Sequence, residues 1–425
     1  MLLYRTHAED PVLKYRQRVL VLVALLAVIT QLDRVCISVA GPRIQEALHI
    51  GPVAWGWVTG VFTISYAAFE IPSGVLGDRI GPRLVLTRIV LWWSAFTSIT
   101  GVATGLYPLL VTRFLFGAGE AGAYPNASIA IARWFPVPER SRALGVMLMA
   151  GQVGGALAPL LVVPIQARYG WRASFYLFGL LGVVWAWVWY RWFRDSPLEK
   201  SGVSQEELAE TRHLSVAGHH KLPWALAFRT RNFGLMLGVA LSYMYGLYFF
   251  QAWFHTYLVK ARGFTEGDLL LSSLPFFLAA GANFAGGLVS NTLVNKIGLR
   301  WGRCGIGVVS LTIAGLCAIA VMFTVQPMLA LVLLSIVYAG ITFQQPIMFA
   351  VCLDVGGEYA GAIVGAMNTA AQIGSFLSSL LFGYIVERYG SYDLPFIPMA
   401  ALLLLGGMLW TRIDPRESLR PELRP

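Results

Sequence analysis

Twelve apolar blocks of about 20 residues dominate the chain, each bounded by charged residues, glycine or proline. A helix of that length crosses the roughly 30 Å hydrocarbon core of a bilayer. The ten-residue alternation of polar and apolar side chains that is typical of transmembrane barrels is absent from the sequence. The pattern therefore predicts an all-α integral membrane protein, in which helices satisfy the backbone polar groups internally.

We number the predicted membrane helices as spans 1 to 12. Their boundaries are 19–41, 54–76, 84–104, 107–132, 143–165, 172–192, 232–258, 267–290, 303–324, 327–352, 358–384 and 394–411. A polar stretch between spans 6 and 7 contains SQEELAETRHL, which predicts a short surface helix. We therefore predict an N-terminal six-helix bundle at 1–193, a cytoplasmic linker at 194–230 and a C-terminal six-helix bundle at 231–425.

The distribution of charge predicts the orientation of these spans. Only 13% of the residues are charged, whereas an ordinary soluble protein has about 25%, so the composition argues against a water-soluble enzyme. Of the 32 Lys and Arg, 24 fall on the side of the N-terminus, 6 on the opposite side and 2 inside spans. Basic loops remain cytoplasmic. We predict a multi-pass protein of the bacterial inner membrane with both termini cytoplasmic, and the net charge of +10 then requires no nucleic-acid partner.

An internal repeat supports the division into two halves. Residues 145–170 align without gaps on 365–390, and 12 of the 26 positions are identical. The repeat relates span 5 to span 11 in the same orientation, which predicts two parallel six-helix halves. Transporters built from repeats bind their substrate near the bilayer midplane between the repeats.

Five charged residues are placed deep in the membrane by these spans, away from the span ends, and all of them are in the N-terminal half: Asp33, Arg34, Glu70, Arg113 and Glu120. Charges in hydrocarbon are costly, at about 2.5 to 3.5 kcal/mol each on an insertion scale, so they mark functional sites by default. The spacing from Arg113 to Glu120 places both on one face of span 4. From similar depths in the membrane we predict an ion pair between Asp33 and Arg113, which leaves Arg34 free to receive an anion. The alternative is that these charges only hold spans 1 and 4 together.

Other polar residues have more than one interpretation. Glu70 is either a third proton site or a carboxylate that reaches the inner rim of the membrane. His255 could titrate, but its place near the outer end of span 7 favours a solvated residue at the mouth. Tyr248 and its aromatic neighbours either stack on substrate or pack against other helices.

Several motifs resemble known transporters. The segment GVLGDRIGPR at 74–83 resembles the conserved cytoplasmic motif of the major facilitator superfamily. The Asp33 and Arg34 pair, RFLFGAGEAGAYPN at 113–126, WFPVPERSRA at 134–143 and the 169–182 run resemble its anion:cation symporter branch. That branch includes bacterial hexuronate, galactonate and glucarate transporters, sialin and the vesicular glutamate transporters. The resemblance covers nearly the whole chain.

The resemblance implies a role for each matching residue. Arg34 would contact the substrate carboxylate, Asp33 and Glu120 would couple protons, and Arg113 would be their switching partner. Further contacts with the substrate would come from Tyr66, Gln152, Tyr248, Gln344, Gln345 and Asn368. The cytoplasmic gate would be formed by Asp78, Arg79 and Arg83. Several positions depart from the usual pattern: Gln31 replaces Tyr, Glu70 replaces Gln and His255 replaces Pro. Gln344 and Gln345 replace smaller hydroxyl residues, so the pocket differs and the sugar acid is not identified.

These observations together predict a proton-coupled symporter that imports a small organic anion, a sugar acid or another carboxylate, by alternating access. We expect a monomer in the lipid bilayer, with protons as the coupling ion and no cofactor or metal. Two alternatives stay open: a proton-driven exporter of drugs or metabolites, and a sensor that binds solute without moving it. Because no phosphate-cradling loop and no set of nucleophile, base and metal ligands is present in the sequence, we do not expect an enzyme.

Overall fold

The computed structural model describes residues 14–211, 224–265, 267–356 and 359–417. Within these ranges the α-helices are Tyr15–Val39 (α1), Gly41–Ala47 (α2), Pro52–Ile80 (α3), Pro82–Thr100 (α4), Leu106–Glu120 (α5), Ala123–Trp134 (α6), Val137–Tyr169 (α7), Trp171–Trp192 (α8), Gln205–Thr211 (α9), Trp224–Arg229 (α10), Arg231–Ala252 (α11), Phe254–Arg262 (α12), Leu274–Ile297 (α13), Leu299–Met322 (α14), Pro327–Phe343 (α15), Gln345–Gly356 (α16), Ala360–Tyr389 (α17) and Phe396–Trp410 (α18). Short 3-10 helices occupy Pro197–Glu199 and Asp268–Ser273.

Eight of the predicted spans are long and apolar enough, by length and composition, to cross a membrane. The other four are spans 2, 3, 4 and 12, which correspond to α3, α4, the pair α5 and α6, and the shorter apolar α18. Span 4 carries buried Arg113 and Glu120, and a break separates its two helices. The polar groups that make this span a candidate site therefore also lower its hydropathy.

Equivalent helices pack in the same way in the two halves. In the N-terminal half α1 packs on α7, α3 on α5 and α4 on α8, and in the C-terminal half α11 packs on α17, α13 on α15 and α14 on α18. The two halves meet where α3 packs on α17 and where α7 packs on α13. We call the face that carries Tyr15, Ile80 and Arg231 the inner face, in line with the predicted charge distribution, and the opposite face the outer face.

Two glycines of the internal repeat carry matching helix contacts. A Cβ atom on Gly154 of α7 would collide with the backbone carbonyl of Val28 on α1. A Cβ atom on Gly374 of α17 would collide in the same way with the backbone carbonyl of Leu241 on α11. Small residues of this kind let two membrane helices approach closely. The sequence repeat thus corresponds to a repeated packing contact.

This contact gives a testable prediction for stability. Replacing Gly154 or Gly374 with alanine should destabilise the fold by about 1 to 3 kcal/mol, because the added methyl group overfills a close helix contact. Gly145 and Gly365 are the matched controls, since nothing lies within 4 Å of a Cβ atom at either position. Thermal unfolding of the purified variants measures the difference. Equal melting temperatures for the Gly154 and Gly145 variants would contradict the assignment.

Candidate functional site

Spans 1, 4, 7 and 10 are each broken, and the candidate site residues Glu120, Gln344 and Gln345 lie beside the breaks. The α1 helix stops at Val39 and α2 follows at once, while α5 and α6 are separated by Gly122 in a left-handed conformation with φ of 87°. Trp253 separates α11 from α12, and Gln344 separates α15 from α16. Broken helices at membrane depth leave backbone groups and polar side chains facing a cavity or a protein contact rather than lipid. Sequence analysis predicted none of these breaks.

Arg34 and Glu120 form an ion pair across spans 1 and 4. The Arg34 Nε donates to Glu120 Oε1 at 2.6 Å, and the side chains are 14% and 0% exposed. The Arg34 Nη2 and the Glu120 Oε2 atoms have no hydrogen-bond partner. The guanidinium is therefore held through one nitrogen, while part of its donor set is left without a partner.

Aromatic rings surround the Arg34 guanidinium. Its central carbon lies 4.6 Å from the centre of the Tyr66 ring, 5.4 Å from that of Phe62 and 6.0 Å from that of Tyr124. The negative faces of such rings attract a cation. These rings hold the charge in place without neutralising it, so the guanidinium keeps its attraction for an anion.

The predicted ion pair between Asp33 and Arg113 is wrong. Neither Asp33 oxygen has a hydrogen-bond partner, and neither does Arg113 Nε. Arg113 instead lies against the rings of Phe116 and Phe62, at 4.6 and 5.0 Å. The prediction that Arg34 is free is wrong as well, because the long Arg34 side chain reaches Glu120. The prediction compared only the depths of the residues along their helix axes. It took no account of how far an arginine side chain extends from its backbone.

Further predicted residues surround this centre. The Tyr248 hydroxyl donates to the Thr59 carbonyl oxygen at 2.7 Å, so Tyr248 joins the two halves. Gln152 is partly exposed, and its amide oxygen has no hydrogen-bond partner. Asn368 is partly exposed on α17 and faces Glu70 on α3. Glu70 also lies within electrostatic range of Arg34.

The two glutamines of span 10 differ in their surroundings. Gln344 is completely buried at the helix break, where its amide nitrogen donates to the Ile341 carbonyl at 3.3 Å. Gln345 is partly exposed and accepts a hydrogen bond from Asn283 at 3.3 Å. In this conformation Gln345 therefore lies closer to solvent than Gln344.

Hydrogen bonds between the halves close the outer face, and we call this set of contacts the outer gate. It comprises Trp55 Nε1 to the Ala252 carbonyl at 3.1 Å, Gln45 Nε2 to Thr256 Oγ1 at 2.9 Å, Ser379 Oγ to the Gly56 carbonyl at 2.9 Å, Tyr248 to Thr59, and Ser38 to His255. All of these partners lie on the outer side of the arginine centre or level with it. The path from Arg34 to the outer face is therefore closed.

The expectation that His255 is a solvated mouth residue is wrong. Its side chain is 0% exposed. The Nδ1 atom lies 2.9 Å from the Ser38 hydroxyl of the opposite half, and Nε2 lies 3.0 Å from the Ser272 hydroxyl of its own half. The turn at Trp253 places α12 between the halves, so a residue near the outer end of its span becomes a buried bridge.

Loss of this bridge should weaken the outer gate. A His255→Phe variant loses the one neutral hydrogen bond of His255 that joins the halves, worth about 1 kcal/mol, so the population with an open outer face should rise about fivefold. Spin labels on cysteines introduced at Leu48 and Ser391 report the opening as a longer distance. Ser335→Ala is the control, because the Ser335 hydroxyl bonds within its own helix to Leu331. An unchanged distance distribution in the His255 variant would contradict the role of the bridge.

The predicted cytoplasmic gate residues surround the start of α4 at the inner face. Asp195, which follows α8, accepts the Arg83 backbone N–H at 3.0 Å and lies 3.6 Å from Arg133. The Arg83 guanidinium donates to the Tyr190 carbonyl at 2.8 and 3.1 Å. Arg79 is exposed, and the Asp78 side chain lies outside the described part of the chain. These hydrogen bonds of Arg83 thus stay within the N-terminal half.

Comparison with known proteins agrees with this architecture. Residues 23–379 match the family model described as Major Facilitator Superfamily. Structural similarity is high to a bacterial homologue of the human lysosomal transporter Spinster, with a TM-score of 0.76 over 96% of this chain and 100% of that one. Its sequence identity is 19%, so this match concerns the fold.

Sequence relatives extend over almost the full length. The chain is 34% identical to a probable sulfoacetate transporter, SauU, of Cupriavidus necator, covering 95% of each protein. It is 29% identical to a hexuronate transporter of Bacillus subtilis, covering 92% of this chain and 91% of the relative. It is 28% identical to a D-galactonate transporter of Escherichia coli, with coverage of 92% and 94%. These relatives are transporters and not enzymes, and they confirm the resemblance seen in the motifs. The chain is a multi-pass membrane protein with the predicted twelve-helix fold, and it belongs to the Major Facilitator Superfamily.

Proposed function

We propose that this protein is a proton-coupled symporter that imports a small organic anion by alternating access. The observation that carries the proposal is the buried ion pair between Arg34 and Glu120. A guanidinium that is held by one carboxylate can exchange that partner for the carboxylate of a solute. Arginine suits this task because its planar fork matches a carboxylate and remains ionised.

Protonation of Glu120 is the proposed coupling step. In the ionised form Glu120 competes with the solute for Arg34, and in the neutral form it no longer holds the guanidinium as an ion pair. A proton on Glu120 therefore favours binding of an anion to Arg34. Release of that proton on the inner side restores the ion pair and expels the anion.

Asp33 and Arg113 form the second part of the proposed coupling machinery. The Asp33 carboxyl group is 3% exposed and has no hydrogen-bond partner, an environment in which an ionised group is costly to maintain. Arg113 is close enough to Asp33 and to Glu120 to act on both electrostatically. We infer that Asp33 also carries a proton during part of the cycle, and that Arg113 responds to the charge of both carboxylates.

The proposed substrate is a sugar acid or another small carboxylate. The relatives are named for sulfoacetate, hexuronate and D-galactonate, all of which are organic anions. Polar groups around Arg34 can bind the rest of such a molecule, and the proposed contacts are Tyr66, Gln152, Tyr248, Gln345, Asn368 and, after rearrangement of span 10, Gln344. The mixture of hydroxyl and amide groups suits the hydroxyl groups of a sugar acid.

Alternating access requires a second conformation in which the outer gate is open. We propose that Asp78, Arg79 and Arg83 then close the inner face as the cytoplasmic gate. We further propose that the protein acts as a monomer in a bacterial inner membrane with both termini in the cytoplasm. Protons are the coupling ion, and no cofactor is assigned a role.

The proposal is tested with purified protein in two stages. A thermal-shift screen of small organic acids identifies a ligand, because binding to the folded state raises the apparent melting temperature. Proteoliposomes loaded with that acid should then exchange it for radiolabelled acid, and an inward proton gradient should drive its accumulation. Failure of every tested organic anion to bind or exchange would reject anion transport. If the acid exchanges but a proton gradient does not drive its accumulation, anion transport is retained and proton symport is rejected.

A further inference from the structure

Four basic side chains lie together at the inner face. Only one of them, Arg83, has a role in the proposed transport cycle, as part of the cytoplasmic gate. We call this group the inner basic cluster and define it as Arg18 on α1, Arg83 on α4, and Arg194 and Lys200 after α8. All four are partly exposed, so solutes and lipid headgroups can reach them. Lys200 lies within electrostatic range of the other three, although the four come from separate segments of the chain.

Aromatic side chains form the floor of the inner basic cluster. Tyr15 stacks on Trp192 with ring centres 6.0 Å apart. Arg18 lies 5.0 Å from the Tyr15 ring, and Lys200 Nζ lies 4.5 Å from the Trp192 ring. Aromatic residues are enriched where a protein crosses from lipid to water. The cluster is therefore positioned at the level of the lipid headgroups.

Among the described residues, few acidic groups face these charges: Glu207 accepts hydrogen bonds from the backbone N–H groups of Tyr15 and Arg16, and Glu210 pairs with Arg16. Asp195 accepts a hydrogen bond from the Arg83 backbone N–H and lies 3.6 Å from Arg133, which is not part of the cluster. The side chains of the cluster bond instead to backbone carbonyls: Lys200 to Trp192 at 2.6 Å, Arg194 to Phe193 at 2.8 Å and Arg83 to Tyr190. Partial burial, followed by the neighbouring arginines, lowers the pKa of Lys200. The cluster thus retains a surplus of positive charge.

In the corresponding region of the C-terminal half, the described basic residues are offset by an acidic partner. Arg300 begins α14 as Arg83 begins α4, and it lies near Trp301. However, Asp414 lies 3.7 Å from Arg300 and accepts a close ion pair from Arg416 at 2.6 Å. These pairs lower the pKa of Asp414 to about 2, with the hydrogen bond from Arg416 as the main cause. The two halves therefore differ in uncompensated charge at equivalent places.

We propose that the inner basic cluster binds the phosphate headgroup of an anionic phospholipid of the inner leaflet. Basic pockets between membrane helices on the cytoplasmic side suit such headgroups, and the negative surface potential of that leaflet attracts them. The lipid phosphate lies between Arg18 and Lys200, and its acyl chains run along the exposed apolar surface of α8. This inference does not depend on the identity of the transported solute.

Native mass spectrometry and thermal unfolding of the full chain test the proposal. The probes are phosphatidylglycerol, zwitterionic phosphatidylcholine and inorganic phosphate. Phosphatidylglycerol should remain bound and raise the melting temperature, whereas the other two should not. A double variant, Arg18→Gln with Lys200→Gln, should bind phosphatidylglycerol roughly thirtyfold more weakly at the usual contribution per basic side chain. The control is Arg300→Gln with Arg416→Gln, which should bind it as the unmodified protein does.

Each other outcome overturns a defined part of this inference. Equal retention of phosphatidylglycerol by the double variant would place the lipid elsewhere. An equal shift with inorganic phosphate would identify a site for free phosphate and not for lipid. If the double variant fails to fold, the single Lys200→Gln variant should still lower retention by roughly fivefold. Solute exchange in phosphatidylcholine vesicles, measured in parallel, separates failure of this proposal from failure of the transport proposal.

Discussion

An Arg34→Ala variant is expected to lose anion binding. Removing one partner of a buried charged hydrogen bond costs about 2 to 5 kcal/mol, which weakens binding roughly 30-fold to several-thousand-fold. The expected loss is near the upper end, because the other buried arginine, Arg113, is held against the rings of Phe116 and Phe62 and does not occupy the position of the Arg34 guanidinium. Thermal shift with the identified organic acid, followed by exchange in proteoliposomes, measures the loss.

The controls for this variant separate binding from folding. Removing Arg34 leaves Glu120 buried without its ion-pair partner, and such an unpaired charge destabilises a protein. The double variant with Glu120→Gln removes that charge, so it should recover stability but not binding. Arg34→Lys retains the charge but loses the planar fork, and we expect weakened exchange. Arg172→Ala is the matched arginine control, since Arg172 lies against Trp171 away from the site. Anion exchange by a stable Arg34→Ala protein would exclude Arg34 as the substrate contact.

Sequence patterns predicted much of the fold because bilayer thickness constrains both length and composition. The apolar blocks located the spans, and the repeat at 145–170 identified helices whose glycines make matching contacts. The breaks were harder to predict. Gly122 offers a local signal, because glycine adopts its left-handed conformation without strain. Pro346, at the second position of α16, offers a signal for the break at Gln344, because proline suits the first turn of a helix and interrupts a helix interior. Trp253 offers no comparable signal, since its break depends on how the helices pack.

The candidate site shows where reasoning from one helix at a time fails. Spacing along span 4 brought Arg113 and Glu120 to one face, and costly intramembrane charge identified Arg34 and Asp33. Which charges touch depends on side-chain reach and on the separation of two helices, and neither is encoded in spacing. His255 illustrates the same limit, because its burial arises from the opposite half and from the turn before α12.

The second large effect is expected for Glu120→Gln, which should retain exchange and lose proton-driven accumulation. Glutamine keeps the shape of the side chain but cannot release a proton, so the competition for Arg34 becomes independent of pH. In the unmodified protein, exchange should improve as pH falls, whereas the variant should lose the part of this pH response that comes from Glu120. At one proton per monovalent anion, one pH unit supports about tenfold accumulation, and the variant should show about none.

Two assays on the same proteoliposomes separate loss of coupling from loss of binding. Counterflow without a pH gradient reports binding and alternating access, while uptake with an inward proton gradient reports coupling. Glu139→Gln is the matched carboxylate control, because Glu139 lies 3.4 Å from Arg16 at the inner face and its side chain is 46% exposed. That control should retain both activities.

If the Glu120 variant accumulates anion normally, Glu120 does not carry the coupled proton, and Asp33 remains as the carboxyl group to be tested by Asp33→Asn. If the Glu120 variant instead loses counterflow, the ion pair is needed for binding or for movement between conformations. The proton would then have to act at another carboxyl group, so the competition for Arg34 would no longer explain coupling.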